Sequence, residues 1–248
     1  MADALGWRLK LGVMAPSTNT IVQPDMDDMR PRGVTNHYSR ILTPNAAALS
    51  NETFRAGIGV IGDNVMAAVD SAMTAEPDYL VMGISALSFF GGAKGADAFV
   101  AAIEQRSDRR VTVGSHAMTA ALQAYGNLRR LGLLTPYWPV MNTEVKRYLG
   151  DMGFEVVRDV ALECRSWVGI AHVTTEQCRN ALRHLDGDDV DALVQVGTNL
   201  SMVRLAAAAE LWLGKPVIAI NTATYWHALR ANGISEQVSG FGQLLERH

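Results

Sequence analysis

Residues 78–88 read DYLVMGISALS and residues 191–201 read DALVQVGTNLS, and these two stretches decide the fold. They agree at Asp78/Asp191, Leu80/Leu193, Val81/Val194, Leu87/Leu200 and Ser88/Ser201, at one constant offset of 113 (191 − 78). That period is too long for a solenoid, whose units run to roughly 20–50 residues. Chance convergence of two buried strands would give a similar pattern. A second pair favours duplication: TVGSHA (112–117) and IAINTA (218–223) are each an apolar run closing on a small polar residue, at an offset of 106 (218 − 112). The reading is therefore two similar halves of unequal length, with a first half of 1–115 plus 225–248 and a second of 116–224.

Outward from these stretches, short apolar runs ending in Gly, Ser, Thr or Asn alternate with longer amphipathic segments. RLKLGVMAPSTN (8–19) reads as a strand breaking at Pro16, AGIGVIGDNVMAAVDSAMTAE (56–76) as one Ala-rich helix, and GADAFVAAIEQRS (95–107) as a helix. RVTVGSH (110–116), RRLGLLTPY (129–137), FEVVRDVAL (154–162) and PVIAINT (216–222) read as further strands, with helices between them and a last helix at ATYWHALRANG (223–233). Apolar runs without alternation belong to strands covered on both faces, and strand–helix alternation to parallel sheets. The fold class is α/β, two similar parallel-sheet halves with a cleft between them. No GxGxxG follows the first strand, so the dinucleotide fingerprint is missing.

Composition narrows the function. With 248 residues, 48% apolar and 19% charged, the chain suits a globular enzyme-sized body. A formal net charge of −3 and the lack of a basic run argue against nucleic acid. The longest apolar stretch, YLVMGISALSFF (79–90), is too short to span a bilayer. The start lacks the order of a signal peptide, so the expected location is cytoplasmic. Cys164 and Cys178 have no CxxC spacing and the six histidines no metal-ligand spacing, so neither disulfide, metal nor cofactor is expected.

In open parallel sheets the ligand lies beyond the carboxyl ends of the strands. Those ends are APSTN (15–19), GISALS (83–88), GSHAM (114–118), LTPYW (134–138), VGTNLS (196–201) and INTATYWH (220–227). They are rich in hydroxyls and amides and poor in charge. Such groups, with the N–H groups of following helices, suit a small carboxylate.

Taken in order, LGVMAPSTN (11–19), MGISALSFFGG (82–92) and LLTPYWPVMNTEV (133–145) resemble the arylmalonate decarboxylase and maleate cis-trans isomerase branch of the aspartate/glutamate racemase superfamily. The resemblance implies two α/β halves related by a pseudo-twofold axis with the site between them. It also implies cysteine thiolates at equivalent points of the halves, and here Ile84 and Gly197 stand at those points. By the same resemblance Ser85 and Tyr137 donate hydrogen bonds to a substrate carboxylate or its enediolate, Thr198 and Asn199 follow the second lost cysteine, and Asn19 binds substrate. Ser85 and Thr198 could equally cap helices, and Tyr137 could be turn packing. Cys164 and Cys178 read as buried structural thiols. With thiolates absent, His116 and His227 are the proton-transfer candidates, their ordinary pKa suiting acid–base work. Gly197, lacking a side chain, would leave room for a water. The expected function is a decarboxylase- or isomerase-like enzyme on a small carboxylate without a catalytic cysteine. The alternatives are a hydrolase or lyase using water near Gly197, and a silent carboxylate-binding protein. The small carboxylate is the only partner expected, with neither nucleic acid nor membrane, and a homo-oligomer is left open.

Overall fold

The computed structural model describes residues 3–248. The first sheet holds β1 (Leu9–Pro16), β2 (Val34–Ile41), β3 (Tyr79–Met82) and β4 (Val111–Thr112) in the order β2-β1-β3-β4. The second holds β5 (Arg130–Thr135), β6 (Glu155–Ala161), β7 (Ala192–Gln195) and β8 (Val217–Ala219) in the order β6-β5-β7-β8. Every pairing is parallel, so one α/β topology occurs twice. The repeated letters do the same work in both copies. Asp78 Oδ2 accepts the Lys10 N–H at 2.7 Å while its own N–H donates to the Lys10 carbonyl. Asp191 Oδ2 accepts the Arg130 N–H at 2.7 Å and its N–H donates to the Arg130 carbonyl. Leu80 and Leu193, both fully buried, lie where a Cβ on Gly12 or Gly132 would collide with their methyl groups. Each glycine is thus a close approach between neighbouring central strands, not a turn.

Eleven α-helices join the strands among the described residues. Before β5 these are α1 (Val22–Asp28), α2 (Asn51–Asp63), α3 (Val65–Met73), α4 (Ala86–Phe89), α5 (Gly92–Ser107) and α6 (Gly114–Ala124). After β5 they are α7 (Pro139–Asp151), α8 (Thr175–Leu185), α9 (Val203–Leu213), α10 (Ile220–Ala231) and α11 (Gln243–Arg247), with one 3-10 turn at Val168–His172. None is long and apolar enough to cross a membrane. The single helix expected over 56–76 is two helices. A Ser50/Thr53 capping box starts α2 earlier, and the chain breaks at Asn64 before α3. β4 and β8 are shorter than expected, because α6 begins at Gly114 and α10 at Ile220, at the places where RVTVGSH and PVIAINT read as continuing strands. These two helices pack against each other, and α10 also lies on β3, β4 and α1, so the last long helix returns to the first sheet.

The core follows from the strand sequences. Leu11, Val13, Leu80 and Val81 in one sheet and Leu131, Leu133, Leu193 and Val194 in the other are at most 1% exposed. Each such side chain contributes about 1.5–3 kcal/mol by leaving water. The carboxyl ends of the central strands are therefore fixed by buried apolar packing, and the segments that follow them are brought together across the molecule.

Candidate active site

Between the two sheets, Asn19 and Ile84 of the first half and Tyr137, Gly197, Thr198 and Asn199 of the second line one cavity of about 40 Å³. The remaining wall is mostly apolar, from Ile58 and Ile61 of α2 and from Trp167 and Ile170, with Thr18 and Thr43 the polar exceptions. A water molecule needs roughly 10–15 Å³ by the same measure, so the space suits a few atoms of a small ligand.

Polar groups from both halves are joined across it. Asn19 Nδ2 donates to Thr198 Oγ1 at 3.1 Å, the Thr20 N–H donates to Asn199 Oδ1 at 3.0 Å, and Thr198 Oγ1 donates to the Gly83 carbonyl at 3.1 Å. Asn19 Oδ1 accepts the N–H groups of Ile21 and Val22, which starts α1 and fixes which way the amide faces. One amide hydrogen of Asn19 stays free for a ligand. Asn199 has none to spare, since its Nδ2 donates to the carbonyls of Trp167 at 2.9 Å and Thr18 at 3.4 Å. The side chains of Thr198 and Asn199, expected to hold substrate, instead brace one half against the other. What they leave for a ligand is backbone: among the described residues, the N–H groups of Thr198 and Asn199 donate to no protein acceptor.

Ser85 Oγ and Tyr137 Oη lie 2.7 Å apart and buried, one from each half. Only Tyr137 reaches the cavity wall. Two hydroxyls sharing one hydrogen bond have one hydrogen left over. With Ser85 donating to Tyr137, that hydrogen is the tyrosine's and faces the cavity. Burial raises the Tyr137 pKa, partly offset by the Ser85 bond, so the phenol stays protonated. Ser85 stands at the start of α4 but makes no side-chain bond to it, and the helix after Thr198 begins only at Val203, so neither side chain caps a helix. The Tyr137 backbone is held as well. Its N–H donates to Thr135 Oγ1 at 3.2 Å, Thr135 bonds Asn142, and Asn142 Nδ2 donates to Asp159 at 2.9 Å.

The space expected at Gly197 is taken. Its φ is +132°, and a Cβ there would run into the ring of Pro136. The missing side chain is a backbone and packing requirement, which removes the support for a water at that point. A cysteine at 197 would meet the same ring, whereas Ile84, 5% exposed, already points a side chain at the cavity.

Neither histidine is at the cavity. Gly114 of α6 faces Ile220 and Ser85, and His116, two residues and roughly 200° further round the helix, faces away to pair with Asp97 of α5 at 3.0 Å. His227 lies seven residues into α10, about 10 Å along the axis from its first turn. Its Nδ1 sits 2.8 Å from Thr112 Oγ1, and burial lowers its pKa. Cys164 and Cys178 also lie outside the lining, each raised to about 11 by burial. Residues the sequence did not single out include Trp167, held through its carbonyl by Asn199, and the two isoleucines of α2. Nothing local in the sequence marks these. Asn221 was marked only by its place in the strand-end segment INTATYWH.

A family model described as Amdase, arylmalonate decarboxylase, matches residues 11–245. The maleate isomerase of Nocardia farcinica (strain IFM 10152) is 24% identical over 245 residues, covering 96% of each chain. That of Pseudomonas putida is 23% identical over 262 residues, covering 95% of this chain and 96% of the other. Among solved structures, a mutant of the Nocardia farcinica maleate cis-trans isomerase with a covalently bound succinylcysteine intermediate superposes with a TM-score of 0.87 at 24% identity, over 97% of this chain and 99% of the other. Arylmalonate decarboxylase superposes with a TM-score of 0.73 at 21% identity, over 95% and 98%.

Proposed function

The chain belongs to the arylmalonate decarboxylase family, and from that premise we propose that it is a cofactor-independent enzyme acting at the carbon next to a carboxylate of a small mono- or dicarboxylate. The Ser85–Tyr137 pair carries the reading, because with Ser85 donating it leaves the Tyr137 hydroxyl hydrogen, at the seam of the two halves, on the wall of the cavity. Around it are the free hydrogen of Asn19 and the N–H groups of Thr198 and Asn199. Among the described residues, no Lys, Arg, His or Cys side chain lines the cavity. Fixed dipoles of this kind stabilise charge as it develops, and in a dry site a well-placed donor lowers a barrier by about 3–4 kcal/mol.

Decarboxylation of a malonate fits these groups better than isomerisation through a thiolate. One carboxylate sits on the donors, and the other is pressed toward Ile58, Ile61 and Trp167, where it loses hydration. The bond between the central carbon and that carboxylate breaks, CO2 leaves, and the electron pair passes into the remaining carboxylate as an enediolate held by the donors. The carbon takes the Tyr137 proton, giving the monocarboxylate, and the tyrosine recovers a proton from water as product leaves. One malonate and one proton give one CO2 and one monocarboxylate. Thiolate addition, the route implied by the succinylcysteine of the relative, would need a thiol at the cavity. Both cysteines lie elsewhere and are held protonated by burial.

The test is turnover of methyl- and phenyl-substituted malonates, followed by proton uptake in an indicator assay, beside conversion of maleate followed by absorbance. Turnover of a malonate, with Tyr137→Phe lowering kcat by about a hundredfold or more, is the expected result. Maleate conversion without malonate turnover would replace decarboxylation by isomerisation. Binding without any turnover would leave a carboxylate-binding protein.

A further inference from the structure

Behind the cavity, the second-half segment that supplies the two backbone N–H groups is tied to a carboxylate of the first half. Asn221, in the first turn of α10 and 2% exposed, donates from the same Nδ2 to the Thr198 carbonyl at 3.0 Å and to Asp25 Oδ2 at 2.8 Å. Its Oδ1 is buried with no partner among the described residues. Asp25 sits in the first turn of α1, the helix whose first N–H, that of Val22, donates to Asn19 Oδ1. One amide therefore links the carboxylate beside one wall of the cavity to the peptide of the other.

We propose that Asp25 is a positioning residue of the anion cradle, acting through Asn221 on the Thr198 peptide, and that protonation of Asp25 tightens the cradle on a bound anion. The proposal rests on the reading of the cavity as an anion site. A protonated Asp25 can give its hydrogen to Asn221 Oδ1 while still accepting from Nδ2. That closes a two-bond pair and satisfies the one atom of Asn221 that lacks a partner. An ionised Asp25 leaves that oxygen unmet, holds Asn221 by one bond only, and sets a negative charge one side chain away from the donors of the anion. Both effects favour the anion-bound form when Asp25 carries its proton.

The surroundings allow the switch to work in an accessible range. Burial raises Asp25 to about 6, helped by Asp28 and opposed by the Asn221 bond and by Arg204 of α9. Asp28 and Arg204 pair with each other at 3.1 Å. The other titratable or charged groups that face α1 are already engaged. Tyr38 and Arg40 of β2 bond the backbone carbonyl and side-chain amide of Gln23, and Tyr225 of α10 bonds Asn36.

The probe is fumarate, whose two carboxylates stay ionised above about pH 5.5. In the free protein, the side-chain amide of Asn221 and the N–H of Thr198 should titrate together in nitrogen–proton NMR spectra, with one midpoint near that of Asp25. Both transitions should vanish in Asp25→Asn. Fumarate affinity, read from the Thr198 and Asn199 N–H shifts, should rise about fivefold or more between pH 8 and pH 5.5 in the parent. An asparagine at 25 supplies an N–H to Asn221 Oδ1 and a carbonyl to Nδ2, so Asp25→Asn should bind at pH 8 as the parent does at pH 5.5, with no pH dependence. Asp25→Ala should bind weakly at both. Thermal unfolding of each variant separates loss of fold from loss of position. A bound fumarate whose affinity ignores pH, or keeps the parent's pH dependence in Asp25→Asn, overturns the proposal alone. Fumarate absent from the cavity at every pH overturns the anion cradle and this proposal with it.

Discussion

At the scale of single residues, the two hydroxyls of the seam have unequal roles. Tyr137 touches the cavity and Ser85 does not, so Tyr137→Phe should cost more. A hydrogen bond to a charged group contributes about 1.5–3 kcal/mol, which corresponds to roughly ten- to a hundredfold in fumarate or malonate affinity for Tyr137→Phe. Ser85→Ala removes the partner that orients the phenol, and its effect should be smaller. Equal losses, measured by calorimetry, would show Ser85 reaching the ligand itself. The cysteines give a second prediction. Burial holds both thiols at about 11, so iodoacetamide at neutral pH should leave activity intact, and Cys164→Ala with Cys178→Ala should change kcat by no more than a few-fold. Loss of activity traced to one of them would bring a thiolate back into the mechanism. Gly197 gives a third. At φ +132° and against Pro136, Gly197→Cys should unfold several degrees below the parent and well below Ile84→Cys, which trims a buried side chain on ordinary backbone. Equal melting temperatures would mean the Pro136 loop yields freely.

At the scale of elements, Asp191 and Asp78 are the visible reason that the repeated letters begin with aspartate, since each fastens the start of the neighbouring central strand. The N–H groups of Arg130 and Arg129 lower the pKa of Asp191. A carboxyl whose pKa is depressed in the folded state adds stability above its unfolded value and loses it as pH falls through the folded value. The gap between the melting temperatures of the parent and Asp191→Asn should therefore be widest near neutral pH and shrink below about pH 4. A gap that grows on acidification would reverse the assignment. The same scale shows what the sequence displays. The apolar strands β1, β3, β5 and β7 are plain because both of their faces are covered. β2 (VTNHYSRI) is an edge strand whose middle is half-exposed and polar, so it carries no apolar run to read. The break at Asn64 hides because α2 and α3 share one Ala-rich apolar pattern. At the site, Asn19, Ser85, Tyr137, Thr198 and Asn199 stand at strand ends that the alternation locates. Whether each faces ligand or partner depends on bonds between residues as far as 179 positions apart, which no local pattern carries. The histidines miss the cavity for simpler reasons, the turn of α6 at His116 and the distance along α10 at His227.

For the whole molecule, the bonds that shape the cavity are those that hold the halves together: Asn19 to Thr198, Thr20 to Asn199, Ser85 to Tyr137 and Asn221 to Asp25. A ligand that bridges both walls should therefore raise the melting temperature, by RT ln(1 + [L]/Kd) in free energy, so with the logarithm of its affinity. The connection between the halves passes through Gly126, at a φ of +91° with nothing within 4 Å of a Cβ placed there. On either side of it, α6 and α10 pack face to face and α10 reaches back across β3 and β4. The covalent link at this turn is thus among the least important contacts between the two parts. Cutting it should give two pieces, 1–126 and 127–248, each with a cleft face of unpaired hydroxyls and amides and neither able to bind an anion alone. Produced together, they should find each other and recover fumarate binding to within about tenfold of the intact chain. Such a reporter, silent until its parts meet, follows from a site made almost wholly of seams.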